Sequence, residues 1–203
     1  MKDYSAKRYG PRTHEMMKDV LFHPEAEAPE VFYHMVRGGK DLRNFTIWES
    51  GKVGNEYIKT YGHYHVGDIN ETYWIVYGDG ITIAQNRVVG KDGEPIDDEI
   101  DEIRIVKVKA GEAVYMPRGW AHAAVNIGHT LFTTADDSPV NFEDVDPSSL
   151  PGHADYDPIK KMRGMAYYIV KENGKPILVK NPLYKKVPEA KIEVWNPSFA
   201  KRK

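Results

Sequence analysis

The 203-residue sequence contains no cysteine. A chain without cysteine has no disulfide framework, no thiolate nucleophile and no thiolate metal ligand. A site for a transition metal would therefore have to use histidine and carboxylate side chains. The sequence contains 8 histidines and 30 acidic residues, so both kinds of ligand are available.

The sequence also lacks a strong excess of charge of either sign and any long apolar run. Its net charge is −2, so no basic surplus indicates nucleic-acid binding. No apolar run is long enough to span a bilayer, and the charged residues 1–20 lack the apolar core of a signal peptide. We therefore expect a cytoplasmic protein that binds neither nucleic acid nor a membrane.

Short strand-like segments separated by turn signals follow one another along most of the chain. They are rich in β-branched and aromatic residues, as in NFTIWES and ETYWIVYG, and they recur about every 8–12 residues. A clear hairpin, AYYIVKENGKPILVK, has Asn173-Gly174 at its turn. The pattern predicts an all-β sandwich or barrel at residues 31–185. An arm at 1–30 with a short helix precedes it, and a tail at 186–203 follows.

Two short blocks place potential metal ligands on neighbouring strands. His63 and His65 are two residues apart in GHYH, and residues i and i+2 of a strand project to the same face. Glu71 opens the next strand after the bend VGDIN, and a hairpin there would fold it back beside the histidines. In the second block, GEAVYMPRGWAHAAVN, a Pro-x-Gly turn reverses the chain and directs His122 from an adjacent strand.

Three imidazoles and one carboxylate form a suitable ligand set for one divalent transition metal with open positions. Nitrogen and oxygen ligands suit Fe(II), Mn(II), Ni(II) or Zn(II), and the sequence does not distinguish among these ions. A lone His-x-His in a strand would more often be a surface or core pair. Here Glu71 and the complete second block favour the metal hypothesis over that simpler interpretation.

The two blocks resemble the two motifs of the cupin superfamily. The first supplies HxH, the glutamate and Gly78, and the second matches G-x5-P-x-G-x2-H-x3-N from Gly111 to Asn126. The resemblance implies a double-stranded β-helix barrel, or jelly roll, with the metal inside. Cupins carry many activities, so the fold alone does not give the function.

Further segments resemble the cupin-type, metal-dependent glucose-6-phosphate isomerases of archaea and some bacteria. They extend from Val31 to Lys185 and read GKVGNEYIKTYGHYH, ETYWIVYGDG, MPRGWAHAAVNIG, PGHADYDPI and KENGKPILVKNP. The resemblance implies interconversion of glucose 6-phosphate and fructose 6-phosphate. It also implies one divalent metal per subunit, with Fe(II) the preferred ion, and a homodimer.

The resemblance assigns roles to individual residues. The family's metal ligands fall on His63, His65, Glu71 and His122, and Glu71 is also the candidate base. Positions that hold the sugar phosphate fall on Thr46, Thr60 and Gly62. Catalytic or substrate-contacting positions around the sugar fall on Tyr73, His153 and Tyr156. One departure is Gly119, where the family has a tyrosine.

Alternatives from other functional classes stay open at the level of sequence. The same four ligands would serve a mannose-6-phosphate isomerase or an Fe(II) dioxygenase. A non-catalytic sugar-binding cupin is a further alternative. The intact ligand set weighs against it, because degenerate cupins commonly lose one or more ligands.

Overall fold

The computed structural model describes residues 9–38, 44–139 and 153–201. Strands predominate within these ranges, and the predicted all-β cupin barrel is confirmed. In chain order the strands are β1 (Tyr9–Thr13), β2 (Val31–Val36), β3 (Asn44–Trp48), β4 (Lys52–Val53), β5 (Glu56–Tyr57), β6 (Tyr64–His65), β7 (Glu71–Tyr77), β8 (Asp79–Val89), β9 (Pro95–Lys109), β10 (Ala113–Met116), β11 (Ala121–Asn126), β12 (Phe132–Asp136), β13 (Ala154–Asp155), β14 (Tyr167–Glu172), β15 (Lys175–Lys180) and β16 (Ile192–Val194).

Two larger sheets form the barrel. One has the strand order β1-β2-β3-β12-β7-β10, and the other has the order β11-β8-β9-β16. Alternate side chains from both sheets point inward and fill a common core. Trp48 and Phe132 of the first sheet and Ile81 and Ile105 of the second are each at most 1% exposed. The barrel interior is therefore a packed apolar core on which the polar site described below is built.

A third sheet, β15-β14-β5-β4, contains the hairpin predicted from the sequence. β14 and β15 pair antiparallel up to Glu172 and Lys175, with a two-residue turn between them. Asn173 (φ 49°) and Gly174 (φ 78°) are both left-handed, as a two-residue turn of this kind requires. The Asn-Gly signal thus specified both the position and the length of the turn.

The N-terminal segment contributes a strand as well as the predicted short helix. Helix α1 (His14–Met17) is capped by the Thr13 side chain, which accepts from the Met16 amide, and the 3-10 helix Lys18–Val20 follows it. Before the helix, β1 pairs antiparallel with β2, a strand that the prediction of an arm with a short helix did not include. β1 is an edge strand, the position in a sheet where proline is tolerated, and this explains how YGPRT forms a strand.

The C-terminal tail packs on the barrel. β16 runs parallel to β9, with Ile192 opposite Ile105. The Trp195 indole donates to the Ala113 carbonyl at 2.7 Å. The chain then forms the 3-10 helix Pro197–Ala200. The domain boundaries at residues 30 and 185 stay predictions.

The remaining helix, α2 (Asp157–Lys161), lies just after the segment that carries His153. In the described ranges no helix is long and apolar enough to cross a membrane.

Candidate active site

A cavity of about 700 Å³, including its open mouth, lies inside the barrel. Most of the residues singled out in the sequence line it. They are Thr46, Thr60, Gly62, His63, Glu71, Tyr73, His153 and Tyr156.

Backbone pairing holds the three predicted histidine ligands together. The His63 amide donates to the His122 carbonyl at 3.3 Å, and the His122 amide donates back at 3.1 Å. His65 follows two residues later in β6. The ring centroids of the three imidazoles are 4.6–4.9 Å apart, and one nitrogen from each lies within 4.8 Å of the others.

Glu71 completes the group from a different strand. It is the first residue of β7 and lies opposite Met116 of β10. Its Oε2 atom is 2.8 Å from His122 Nε2 and 3.7 Å from His65 Nε2. The neighbouring Thr72 amide donates to Asp137 Oδ1 at 2.8 Å, which fixes the start of the strand. All four predicted ligands therefore converge on one point.

The chemistry of this group fits a divalent metal. Burial lowers the pKa of His65 to about 3 and that of His122 to about 4, and it also lowers the pKa of His63. The imidazoles are therefore neutral near pH 7, the form that binds metals. Within the described residues His65 Nε2, His122 Nε2 and Glu71 Oε2 are buried without a hydrogen-bond partner. A cation bound between them would satisfy these atoms.

The aromatic residues assigned by resemblance surround the histidines. The Tyr73 and His122 rings are in edge-to-face contact, with their centroids 5.5 Å apart. Pairing of β13 with β6 brings the half-buried His153 to 5.6 Å from the His65 ring. Tyr156 lies 5.2 Å from the His63 ring.

The three residues assigned to the sugar phosphate also face the cavity. Thr46 lies on β3 between Met35 and Thr134. The Thr60 hydroxyl accepts from the Ala124 amide at 3.0 Å. Gly62 has φ +83°, and a Cβ atom there would lie 3.1 Å from a methionine sulfur, so the position favours glycine.

Asp136 is a buried carboxyl group that the sequence analysis did not identify. Its Oδ1 atom accepts from Asn44 Nδ2 at 2.8 Å and from the amide and hydroxyl of Ser138 at 3.1 and 2.8 Å. Burial and the hydrogen-bonded Glu71 raise the pKa of Asp136 to about 8, and burial raises the pKa of Glu71 to about 7. The two carboxyl groups therefore share a proton near neutral pH. The alternation in FTTAD, which puts Asp136 on the face of Thr134, was the available signal.

Gly119, the departure from the family pattern, lies in a tight turn. The Trp120 amide donates to the Pro117 carbonyl at 3.2 Å, and Gly119 itself has φ +74°. A Cβ atom at this position would meet nothing within 4 Å. Glycine is therefore favoured here by backbone conformation and not by lack of space.

Comparison with known proteins agrees with the resemblance seen in the sequence. The family model of glucose-6-phosphate isomerase matches residues 34–185, which include every residue of the site. The chain belongs to the glucose-6-phosphate isomerase family. Within that family it is 33% identical over 141 residues to glucose-6-phosphate isomerase of Thermococcus litoralis and 35% identical over 141 residues to that of Pyrococcus abyssi.

These matches cover 69% of this chain and 62% of each relative, so the chain spans less than two thirds of their length. A bacterial member from Sinorhizobium medicae is 32% identical over 139 residues, with 66% of this chain and 53% of the relative covered. Among solved structures, the Drosophila melanogaster CENP-C cupin domain superposes with a TM-score of 0.37 and 10% identity over 55% of this chain and 71% of that one.

Proposed function

We propose that this protein interconverts glucose 6-phosphate and fructose 6-phosphate with a divalent metal held by its three clustered histidines and Glu71. The observation that carries the proposal is the convergence of three neutral imidazoles and a buried carboxyl group, two of the four residues lining the cavity, in a chain from this family. When bound, the metal would act as a Lewis acid on the oxygens of C1 and C2.

Glu71 is the base in this proposal. The reaction moves hydrogen between C1 and C2, either as a proton that a base takes from one carbon and returns to the other or as a hydride that shifts directly between the carbons, and Glu71 serves the proton route. A base works best when its pKa is close to the working pH; burial raises the pKa of Glu71 to about 7 in the metal-free protein, which opposes the lowering that a bound cation would cause. Glu71 also lines the cavity, where it can reach a bound sugar.

Asp136 orients this base. Its hydrogen bond to Glu71 restricts the rotation of that carboxyl group, and Asn44 and Ser138 hold Asp136 in turn. Glu71 on β7 is thus positioned by buried polar contacts that continue through Asp136 on β12 to Asn44 on β3.

His153 and Tyr73 exchange protons with the hydroxyl groups of the sugar, His153 as acceptor and Tyr73 as donor. Burial lowers the pKa of His153, so its ring is neutral at pH 7 and can accept a proton from a sugar hydroxyl. Burial raises the pKa of Tyr73, so its phenol stays protonated and acts as a donor. Both side chains line the same cavity as Glu71.

The sugar phosphate lies toward Thr46, Thr60 and Gly62 in this proposal. Two hydroxyl groups and a main chain that a glycine leaves accessible are suitable donors for phosphate oxygens. All three residues line the cavity.

A coupled assay tests the proposal. Fructose 6-phosphate is supplied, and glucose 6-phosphate is detected through NADPH formation by an added dehydrogenase. We expect turnover by the wild type, loss of turnover in His122→Gln, and wild-type rates in His34→Gln. His34 is a matched control because it hydrogen-bonds Tyr9 at 2.6 Å and does not line the cavity.

Two outcomes would contradict the proposal. One is no turnover with any added divalent metal, in protein that is folded and binds the metal. The other is faster turnover of mannose 6-phosphate than of fructose 6-phosphate, which would favour the alternative isomerase.

A further inference from the structure

One cationic side chain faces the cavity, and none of the roles assigned above uses it. Arg37 follows β2, and it continues the alternation by which Tyr33 and Met35 line the cavity wall. Among the described residues that line the cavity, Arg37 is the only lysine or arginine. Its exposed fraction is 5%.

The Arg37 guanidinium lacks the partners that a buried charge requires. Within the described ranges Nη1 is buried with no hydrogen-bond partner, and Nη2 contacts only the Met35 sulfur, at 3.6 Å. A thioether is a weak acceptor. Since a buried charge is costly unless it is paired, this geometry calls for an anion that the described part of the chain does not supply.

The nearby carboxyl group of Asp136 already accepts hydrogen bonds from other residues. β2 pairs with β3 up to Val36 opposite Phe45, Arg37 and Asn44 are the next residues of these two segments, and the pairing of β3 with β12 places Asn44 opposite Asp136. Asn44 donates to Asp136 Oδ1, which also accepts from Ser138. Asp136 is thus engaged by neutral donors and by Glu71, and it interacts with Arg37 through its charge at longer range.

The cavity contents indicate what kind of anion would fit. Thr46 and Thr60 supply hydroxyl groups to the same space, and the guanidinium presents a planar fork of donors. A fork of this kind matches the spacing of phosphate oxygens, and its charge-assisted hydrogen bonds are the stronger ones. The carboxyl groups of Glu71 and Asp136 line the same cavity and repel a dianion, and the guanidinium would favour its binding by offsetting this repulsion.

We propose that Arg37 binds the phosphate group of the sugar phosphate and is a specificity-determining residue for phosphorylated over neutral sugars. The inference rests on the proposed function for the identity of the substrate, although the anion site itself is defined by geometry alone. Arg37 contacts the end of the substrate remote from C1 and C2. Its loss should therefore weaken binding more than it slows the chemical step.

The first test compares Arg37→Met with the wild type in the isomerase assay. We expect KM for fructose 6-phosphate to rise roughly 10- to 100-fold, the usual value of a hydrogen bond to a charged group, with kcat changed far less. Arg104→Met is the matched control. Arg104 stacks on Trp120 with its guanidinium carbon 4.2 Å from the ring, outside this cavity, so the control removes the same charge without touching the site.

The second test does not depend on isomerase activity. Inorganic phosphate is titrated calorimetrically into the full chain, and fructose serves as the neutral probe. We expect phosphate to bind the wild type and Arg104→Met alike and to bind Arg37→Met roughly 10- to 100-fold more weakly, with fructose binding unchanged. Arg37→Lys, which keeps the charge but loses the fork, should fall between them and replaces Arg37→Met if that variant does not fold.

Failure of this inference is distinguishable from failure of the proposed function. Phosphate affinity that depends on Arg37 in a protein without isomerase activity would support the anion site and reject the reaction. An unchanged KM in Arg37→Met would overturn the inference while the reaction stands. Phosphate that binds Arg37→Met as tightly as the wild type, as it would if it bound only to a metal, would also overturn it.

Discussion

At the scale of single residues, the proposed function gives Glu71 two roles, as metal ligand and as base. It lies within 2.8 Å of His122 Nε2 and hydrogen-bonds Asp136. A metal ligand is held most firmly when its other oxygen is also fixed, because outer partners orient the ligand. Burial raises the pKa of Glu71 to about 7 in the metal-free protein, although the hydrogen bond to Asp136 lowers it.

Replacing Glu71 by Gln should reduce kcat by a factor of roughly 10²–10⁴, the usual contribution of a positioned base. The amide keeps the size of the side chain and an oxygen for the metal, so the fold should be retained. The assay is run beside a measurement of bound metal. Glu94→Gln, at an exposed position, is the control. Near-normal turnover by Glu71→Gln with metal bound would rule out Glu71 as the base.

The shared proton of Glu71 and Asp136 predicts how the stability of the metal-free protein depends on pH. Both carboxyl groups have pKa values raised in the folded state, to about 7 and about 8, so folding favours their protonated forms. This stabilisation is complete below their unfolded pKa values and is lost as pH rises through the folded ones. Unfolded histidines have pKa values near 6.5, so above about pH 7.5 histidines are almost all neutral in folded and unfolded chains alike and add little slope.

We therefore expect the unfolding free energy of chelator-treated protein to fall between pH 7.5 and 9, by up to about 1.4 kcal/mol per pH unit for each group. Asp136→Asn keeps the Oδ1 acceptor for Asn44 and Ser138 and offers a permanent donor to Glu71. The unfolding free energy of this variant should therefore change less with pH than that of the wild type. Urea unfolding across this pH range measures both proteins. Equal slopes for the two would contradict the shared proton.

At the scale of strands and turns, the hairpins that carry the site depend on a few glycines. Gly78 joins β7 to β8 with φ +80°, and a Cβ atom there would lie 2.4 Å from the Leu131 carbonyl oxygen. Gly111 precedes β10 with φ +91° and has open space around it. Both glycines thus have the left-handed conformation, but a Cβ atom would collide with the neighbouring backbone only at Gly78.

Gly111→Ala should cost about 1–2 kcal/mol of stability, from the left-handed conformation alone. Gly78→Ala should cost a further 1–3 kcal/mol, because the methyl group meets the backbone of a neighbouring strand. Denaturant unfolding of both variants measures the difference. Equal losses would show that the strands near Gly78 move apart without cost.

The elements that sequence predicts well are those with a local signal. The Asn173-Gly174 turn and the HxH and G-x5-P-x-G-x2-H-x3-N motifs carry their geometry in a few adjacent residues, and the structure confirms the hairpin and gathers the motif residues. β1 was not predicted, because Gly10 and Pro11 disfavour a strand until β2 offers it a partner. Pairing energy overrides local preference at such edges.

The missed site residues were missed for a related reason. Asp136 and Arg37 belong to no motif, and each is distinguished only by burial beside residues distant in sequence. Asn44 and Asp136, for example, are 92 residues apart in the chain and hydrogen-bond at 2.8 Å. Only the pairing of β3 with β12 brings them together.

At the scale of the whole molecule, the tail is part of the barrel. Trp195 donates to Ala113, at the start of the strand that pairs with Glu71 and its neighbours. Trp195→Ala should therefore cost about 1–3 kcal/mol through lost apolar contact and one hydrogen bond. Val194→Ala, at a side chain that is 82% exposed, should change stability by less than about 0.5 kcal/mol.

Thermal or denaturant unfolding of these two variants measures the contribution of the tail. A Trp195→Ala variant as stable as Val194→Ala would indicate that the tail contributes nothing to the fold. The homodimer, the cytoplasmic location and the preference for Fe(II) stay predictions.

The most direct test of the whole account is the dependence of activity on bound metal. Protein stripped with a chelator is loaded anaerobically with increasing Fe(II), and conversion of fructose 6-phosphate to glucose 6-phosphate is measured against metal bound per chain. We expect no activity without metal and a linear rise that ends at one ion per chain. Full activity in folded, metal-free protein would contradict the central claim that the three histidines and Glu71 form a catalytic metal centre.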